Sequence, residues 1–492
     1  MKNLKRFFAL LLCIILIFLL TGCDETDNTY IYFNLNEQPF SLDPQTAQSD
    51  TELMIIRNIF EGLMRKDENG EIVCAVAKSY EKNGLTYTFH LRNDAKWSNE
   101  EKVTAYDFLF AFKRAINPKT MSIFANRLVS IKNVKEILKG KKNVNDLGVK
   151  VIDAHTLRIE LEEEDPYFLD TLTTNVAMPC NEDFFNSTAG RYGLESETTL
   201  SNGSYRLTKW GKTVFGIRLY RNKYYTGEFV AKNAAVFLSI DNEQTSIEVL
   251  KNNDADIAFI TPFDISSAEQ SNLGVARYNN ICWFLTVSDT FSKNIRKSLI
   301  SLSNPKIYKN DLIDGYYPAN SIYPNILSTE KVSNGMPKYN LQKAKQAFKN
   351  EVQKLPDRKF PENIVLYYYD DGFSKTVVTD IAAHWQNQLG AFVNIEAVST
   401  PKKLQSQITE QTYSLAVFPI YTASSHVEEY LEKMNINHNG DIGKSQEKLL
   451  KSNNVIPLMT QDTVMAYNKN LENFGFTSGN GLIDFAYIIK HE

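Results

Sequence analysis

Apolar and polar residues alternate in several short stretches of the chain, and such alternation predicts half-buried β-strands. Tyr87, Phe89 and Leu91 alternate with polar neighbours, and residues 156–161 repeat this period of two. Further strands are predicted at residues 30–35, 204–210, 214–225, 234–240 and 256–260. Amphipathic helices are predicted at residues 50–63, 104–116 and 243–251. The order strand, helix, strand over residues 234–260 predicts a short βαβ unit.

The second half of the chain repeats strands and helices in alternation. Strands are predicted at residues 364–369, 392–398 and 413–418, with helices at 373–389 and 401–409. The first of these helices has an apolar side chain at every fourth position, namely at Phe373, Val377, Ile381, Trp385 and Leu389. Alternating strands and helices predict a parallel sheet. Two separate α/β regions predict two lobes, and the most linker-like compositions are at 332–337 and 353–362.

The N-terminal segment predicts export and attachment of lipid. A cationic start is followed by an apolar run over residues 7–20, which is too short for a comfortable membrane span and typical of a secretory signal. Residues 20–23 read LTGC and resemble the lipobox of bacterial lipoproteins. We expect cleavage after Gly22, acylation of Cys23 and a short tether over residues 24–29. An ordinary signal peptide with an incidental cysteine is the alternative.

Charge and cysteine content narrow the class of protein. Loss of residues 1–22 removes three positive charges and no acidic residue, which takes the formal net charge from −4 to −7. This mild acidity argues against nucleic acid as a partner, because nucleic acid favours a basic surface. Cys74, Cys180 and Cys282 then remain, and none belongs to a CxxC pair. We expect buried thiols, with a Cys74–Cys180 disulfide as the alternative.

The sequence contains no motif for catalysis or metal binding. Its six histidines include no HExxH pair, and none lies at zinc-ligand spacing from a cysteine. Glycine-rich nucleotide loops, a GxSxG elbow and an EF-hand loop are also absent from the sequence. Asp370 and Asp371 precede Gly372 and are interpreted as a solvated turn. We therefore expect no enzymatic activity and no bound metal or cofactor.

A series of short segments gives the chain a family resemblance over nearly its whole mature length. The segments are 38–44 (QPFSLDP), 58–63 (NIFEGL), 77–80 (AKSY), 87–92 (YTFHLR), 95–98 (AKWS), 103–108 (VTAYDF), 202–205 (NGSY) and 456–458 (IPL). In this order they resemble the oligopeptide, dipeptide and nickel class of solute-binding proteins of ABC importers, known as family 5. Ser204 stands where the family has proline.

The resemblance implies a large α/β fold of the periplasmic-binding-protein type, class II, in which two lobes close by a hinge. It implies lobe I at residues 30–63, 177–275 and 455–492, an extra subdomain at 64–176 and lobe II at 276–454. It also implies a monomer at the outer face of the cell membrane. Such a protein delivers a peptide or peptide-like solute to the permease and ATPase subunits of an importer.

The resemblance also implies a set of ligand-binding residues, and there this chain departs from the family pattern. The strand positions that would pair with an extended peptide include Asn34, Asn36 and Glu37 in one lobe and Val417, Phe418, Ile420 and Tyr421 in the other. Ala423 falls where peptide-binding members have the aspartate that holds the α-ammonium group. Glu428, Glu429 and Asp370 are candidate replacements.

Two other functions stay open from the sequence. The missing aspartate and the aromatic residues of the second lobe favour a receptor for a metal chelate, a sugar or a polar metabolite. A surface lipoprotein that kept the fold and acts in interaction or signalling, without a transported ligand, is the other alternative.

Overall fold

The computed structural model describes residues 29–211, 216–240, 244–324, 336–410, 413–421, 442–452, 454–476 and 481–491. The strands are β1 Tyr30–Asn34, β2 Met64–Lys66, β3 Ile72–Cys74, β4 Ala77–Asn83, β5 Thr86–Leu91, β6 Val149–Asp153, β7 Thr156–Glu160, β8 Tyr205–Lys209, β9 Ile217–Arg221, β10 Ala235–Ser239, β11 Ile257–Ile260, β12 Gly274–Val287, β13 Tyr316–Pro318, β14 Val365–Tyr369, β15 Asn394–Val398, β16 Leu415–Tyr421, β17 Val455–Tyr467, β18 Leu471–Glu472 and β19 Ile489–Lys490. The α-helices are α1 Asp50–Ile59, α2 Ala105–Ile116, α3 Val134–Leu138, α4 Phe168–Thr171, α5 Glu182–Ser187, α6 Ser246–Lys251, α7 Ile265–Gln270, α8 Lys293–Ser301, α9 Leu341–Val352, α10 Ser374–Leu389, α11 Pro401–Thr409 and α12 Ile442–Ser452.

One large mixed sheet runs through the molecule in the order β15-β14-β16-β12-β17-β11-β1-β10-β9-β8, and β13 joins it beside β17. In the second half of the chain, β14 pairs in parallel with both β15 and β16. In the first half, β1 pairs in parallel with both β10 and β11. The predicted parallel sheets are therefore confirmed, and β1 lies between the two strands of the predicted βαβ unit.

Two long antiparallel strands, β12 and β17, join the two parallel regions. The start of β12 and the end of β17 pair beside β11, whereas residues 281–287 of β12 lie between β17 and β16. The register of the two long strands shifts between Asn279 and Ile281. Such a bulge bends a strand and increases its twist. The shift therefore lies where the two halves of the sheet meet.

A separate apolar core lies on each side of this junction. The part of the chain packed around Phe33 is called lobe I below, and the part packed around Trp283 and Trp385 is called lobe II. Residues 64–176 carry a sheet of their own in the order β4-β5-β7-β6. Their apolar side chains, such as Phe89, nevertheless belong to the core of lobe I.

The periodic elements follow the sequence closely. In α2 the Thr104 backbone N–H donates to the carboxylate of Asp107 at 2.7 Å, which satisfies a group that the helix itself leaves unpaired. In α10 the predicted apolar stripe packs into lobe II, where Val377, Ile381 and Trp385 are fully buried. The predicted helices at 104–116 and 373–389 are confirmed to within one residue.

Several predicted boundaries were wrong. Helix α1 ends at Ile59 instead of residue 63, because Phe60 is extended and buried. Gly62 serves a close approach, since a Cβ there would lie 3.1 Å from the carbonyl oxygen of Leu172. Residues 353–362 join α9 to β14 within lobe II, and their Phe360 is buried, so they do not link the lobes.

The three cysteines of the described residues are free thiols, so the alternative of a Cys74–Cys180 disulfide is not formed. Cys180 and Cys282 are fully buried, as predicted for small apolar side chains. Burial raises the pKa of the Cys180 thiol to about 12. It also raises the pKa of Cys282 well above its usual value, so neither thiol ionises near neutral pH.

Candidate functional site

The carboxyl ends of parallel strands from the two lobes face each other, and the region between them is called the cleft below. In lobe I these are the ends of β1 and β11, and in lobe II they are the ends of β14 and β16. Phe263, in the turn after β11, lies with its ring centre 6.4 Å from that of Phe373 at the start of α10. A Cβ at Gly372 would lie 3.2 Å from the Phe263 ring. Loops at such strand ends commonly carry ligand sites.

Tyr421 at the end of β16 lies close to acidic residues of both lobes. Burial raises the pKa of the Tyr421 phenol, and nearby Tyr369 and Asp371 raise it further. Asp50 and Glu37 of lobe I add to the same effect. The negative charges of both lobes therefore act together with burial to keep the Tyr421 phenol protonated.

Asp371 is held in a fixed orientation. Its Oδ2 accepts a 2.5 Å hydrogen bond from the Tyr316 hydroxyl. Its Oδ1 accepts hydrogen bonds from the backbone N–H groups of Phe373 and Ser374, at 3.1 and 2.8 Å. These bonds place the carboxylate at the first turn of α10, where the helix dipole favours negative charge. Burial and the Asp371 carboxylate raise the pKa of the Tyr316 phenol, which keeps the donor protonated.

Its neighbour Asp370 behaves as the predicted solvated turn residue. Asp370 is exposed, and its Oδ1 accepts a 3.0 Å hydrogen bond from the backbone N–H of Gly372. The proposed replacement of the missing aspartate by Asp370 therefore fits the structure less well than replacement by Asp371, which is partly buried at the cleft. The identical side chains of Asp370 and Asp371 gave no sequence signal to separate them.

Aromatic residues support this end of lobe II. Trp283 stacks on Tyr369 with ring centres 6.3 Å apart, and its Nε1 donates to the Gln461 side chain at 2.7 Å. The rings of Tyr316 and Phe373 lie 4.4 Å apart. Because Trp283 is fully buried, it belongs to the core, while Tyr369 is partly exposed.

In each of the two strands, the first residue predicted to pair with a peptide is already paired on both sides within the sheet. Asn34 pairs with Ser239 on one side and with Ala258 on the other, so it lies inside the sheet. Val417 is likewise enclosed, between Leu285 and Tyr368.

The remaining predicted site residues fall into two groups. Asn36 and Glu37 follow β1 and are exposed. Strand β16 pairs with β14 only as far as Val417. The predicted site residues beyond that point, Phe418, Ile420 and Tyr421, pair with β12 on the other side of the strand. Ala423, Glu428 and Glu429 lie outside the described residues, as does the predicted lipid site Cys23.

Tyr316, Asp50 and Phe263 are not among the site residues expected from the sequence. Tyr316 comes from the short strand β13, which no periodicity predicts, and its contact with Asp371 spans 55 positions of the chain. Phe263 had one available signal, since it is an apolar residue three positions after the end of a predicted strand.

Fold and site together define a two-lobed α/β binding protein. A family model described as bacterial extracellular solute-binding proteins, family 5 Middle, matches residues 71–441. The match covers more than half of the 492 residues, and the chain belongs to this family. The family consists of solute-binding proteins and not of enzymes. The resemblance stated from the sequence is confirmed.

Individual relatives agree with this assignment. The chain is 28% identical to the oligopeptide-binding protein OppA of Bacillus subtilis over 391 residues, covering 76% of this chain and 71% of the relative. It is 29% identical to the dipeptide-binding protein of Lactococcus lactis, where the match covers 51% of this chain and 47% of the relative. The substrate-binding domain of an oligopeptide ABC transporter from Bacillus anthracis superposes with a TM-score of 0.78 at 25% identity, covering 94% and 99% of the two chains.

Within the ranges that the structure describes, no helix has both the length and the apolar character to cross a membrane. Within the same ranges, no three His, Cys, Asp or Glu side chains form a group that could hold a metal ion.

Proposed function

We propose that this chain binds a peptide or peptide-like solute between lobe I and lobe II and delivers it to the permease and ATPase subunits of an ABC importer. The names of the relatives support this substrate class, since those above bind oligopeptides or dipeptides. The observation that carries the proposal is the oriented Asp371 carboxylate, which lies beside the contact between Phe263 of lobe I and Phe373 of lobe II. Negative charge at the mouth of a cleft suits a ligand that brings a cation.

In this proposal Asp371 holds the α-ammonium group that Ala423 cannot bind. A partly buried ammonium without a carboxylate partner would cost several kcal/mol, so about that much affinity depends on a replacement. Asp371 is oriented before the ligand arrives, because Tyr316 and the first turn of α10 already fix its two oxygens. Preorganisation of this kind reduces the entropy cost of binding.

Main-chain pairing would supply the part of the affinity that does not depend on the peptide's sequence. Residues 36–37 and 418–421 extend past their parallel neighbours and can pair with an extended ligand. Pro419 has no N–H to donate, so the pairing is interrupted there. Glu428 and Glu429 remain proposed as further acidic contacts.

The proposal includes the location of the protein in the cell and the division of its chain into lobes. Acylation of Cys23 would hold the protein on the outer face of the cell membrane as a monomer. The division into lobe I and lobe II is supported by the separate cores on either side of β12 and β17, and the extra subdomain at residues 64–176 is supported by its own four-stranded sheet.

Thermal unfolding with peptide pools tests the proposal. A ligand at about 100 times its Kd stabilises the folded state by about 2.7 kcal/mol, so the melting temperature should rise. N-acetylated peptides should have a smaller effect, because they lack the ammonium group. A rise with sugars or metal chelates alone would favour a non-peptide solute. Capture of a protein partner without any small-molecule effect would favour an interaction role.

A further inference from the structure

One side of the sheet in lobe I carries aromatic and cationic residues at its surface. The register of β1, β10, β9 and β8 aligns two rows of side chains on this side. The first row is Tyr30, Ala235, Tyr220 and Arg206, and the second is Tyr32, Phe237, Arg218 and Lys209. These eight residues are called the aromatic face below. The alternate residues, such as Phe33 and Leu238, point into the lobe I core.

The rings of the aromatic face form one contiguous group. Phe237 lies at its centre, with ring centres at 5.5 Å from Tyr30, 5.3 Å from Tyr32 and 5.9 Å from Tyr220. The guanidinium of Arg218 lies 5.6 Å from the Phe237 ring centre. Tyr30 and Tyr32 are 37% and 41% exposed, so the group is open to solvent. Contiguous apolar surface of this kind marks a contact site.

The charge of this face is opposite to that of the whole protein. Its two rows contain Arg206, Lys209 and Arg218 and no acidic residue, whereas the formal net charge of the chain is −4. Tyrosine prefers the boundary between lipid tails and water, because its ring is apolar and its hydroxyl polar. Lysine and arginine are attracted by anionic head groups. Aromatic rings flanked by cations therefore fit the surface of an anionic bilayer.

The position of the proposed lipid attachment brings a bilayer to this face. Tyr30 follows Cys23 by seven positions, and seven extended residues span at most about 25 Å. We propose that the aromatic face docks on the anionic lipid surface to which Cys23 is attached. The inference rests on the proposed lipid anchor. A short tether raises the local concentration of the face at the bilayer, so weak contacts suffice.

Quenching by brominated lipid tests the docking directly. The form beginning at Cys23 is coupled through that thiol to a maleimide lipid in phosphatidylcholine–phosphatidylglycerol vesicles, with Cys74→Ser to remove the partly exposed thiol. Tryptophan is introduced by Phe237→Trp, or by Tyr32→Trp should the first variant fold poorly. Phe392→Trp is the matched control, since Phe392 is 56% exposed in lobe II. The native tryptophans give both variants the same background.

Docking predicts that brominated lipid removes more emission from Phe237→Trp than from the control, and that added salt reduces the difference. Equal quenching of the two variants would overturn the proposal. A dimer in sedimentation that Phe237→Ser dissociates would also overturn it, because a second copy would then cover the face. Because the maleimide lipid replaces the natural one, the outcome is independent of acylation in the cell. Intact mass of the protein from membranes tests that acylation separately.

Discussion

At the scale of single residues, environment separates side chains that are identical in sequence. Asp370 and Asp371 are adjacent carboxylates, yet Asp371 accepts three hydrogen bonds and faces the cleft while Asp370 is exposed. The contact from Tyr316 comes from a distant strand, so the local sequence could not assign the two roles. Fixed geometry makes Asp371 the better candidate for holding a ligand cation.

Three variants separate the charge of Asp371 from its structural role. Asp371→Asn keeps an oxygen to cap α10, so the melting temperature should change little, while affinity for free-amine peptides should fall by about 2–5 kcal/mol. Asp371→Ala should lose that affinity and also about 1 kcal/mol of stability. Asp370→Ala is the control and should change neither quantity. Calorimetric titration and thermal unfolding measure both, and unchanged peptide affinity in Asp371→Asn would exclude the proposed ammonium contact.

Asp107 predicts a pH dependence of stability. The residue is 6% exposed, and burial raises its pKa from the usual 3.8 to about 6. The folded state thus binds a proton more tightly than the unfolded state. Protonation of Asp107 therefore adds about 2–3 kcal/mol to the free energy of unfolding below pH 4. This stabilisation is lost as the pH rises through 6. Denaturant titrations at pH 4 to 7 should show this fall relative to Asp107→Asn, and parallel curves for the two proteins would contradict it.

At the scale of elements, periodic patterns predicted most helices and strands, because one face of each is buried. Element ends were less predictable, since they depend on contacts with distant residues. Helix α1 stops where Phe60 turns into the core, and β16 continues to Tyr421 because β12 pairs with it. The cleft residues from short or irregular segments, such as Tyr316 and Phe263, left no periodic signal.

The apolar stripe of α10 predicts unequal effects along one helix. Ile381 is fully buried against the lobe II core, so Ile381→Ala should destabilise the protein by about 2–5 kcal/mol. Leu389 ends the same stripe but is only partly buried, so Leu389→Ala should cost clearly less. Urea titration of both variants gives the comparison. Equal losses would show that the stripe is packed differently from the structure.

At the scale of the whole molecule, β12 and β17 join two lobes whose strand ends face each other. Phe263 of lobe I rests on Gly372 and Phe373 of lobe II, beside the proposed ligand carboxylate. In the proposed closing of the lobes around a ligand, this contact holds them together beside Asp371. Loss of the ring should favour the open form while leaving the Asp371 carboxylate in place.

Phe263→Ala tests this connection between the lobes. Phe263 is 50% exposed, so the substitution should hardly change stability. We expect faster peptide dissociation and a larger radius of gyration by small-angle scattering at the same peptide concentration. Phe392→Ala, which removes another half-exposed ring in lobe II, should change neither value. An unchanged dissociation rate in Phe263→Ala would show that this contact does not stabilise the closed form.

The most direct test of the account is mass spectrometry of the small molecules released when the form beginning at Asp24 is denatured after native purification. A peptide receptor with an oriented carboxylate and sequence-independent strand pairing should release a mixture of short peptides with free amino groups. Asp371→Asn should release far less of the same mixture. A single non-peptide compound, or an empty protein that no peptide pool stabilises, would contradict peptide binding in the cleft.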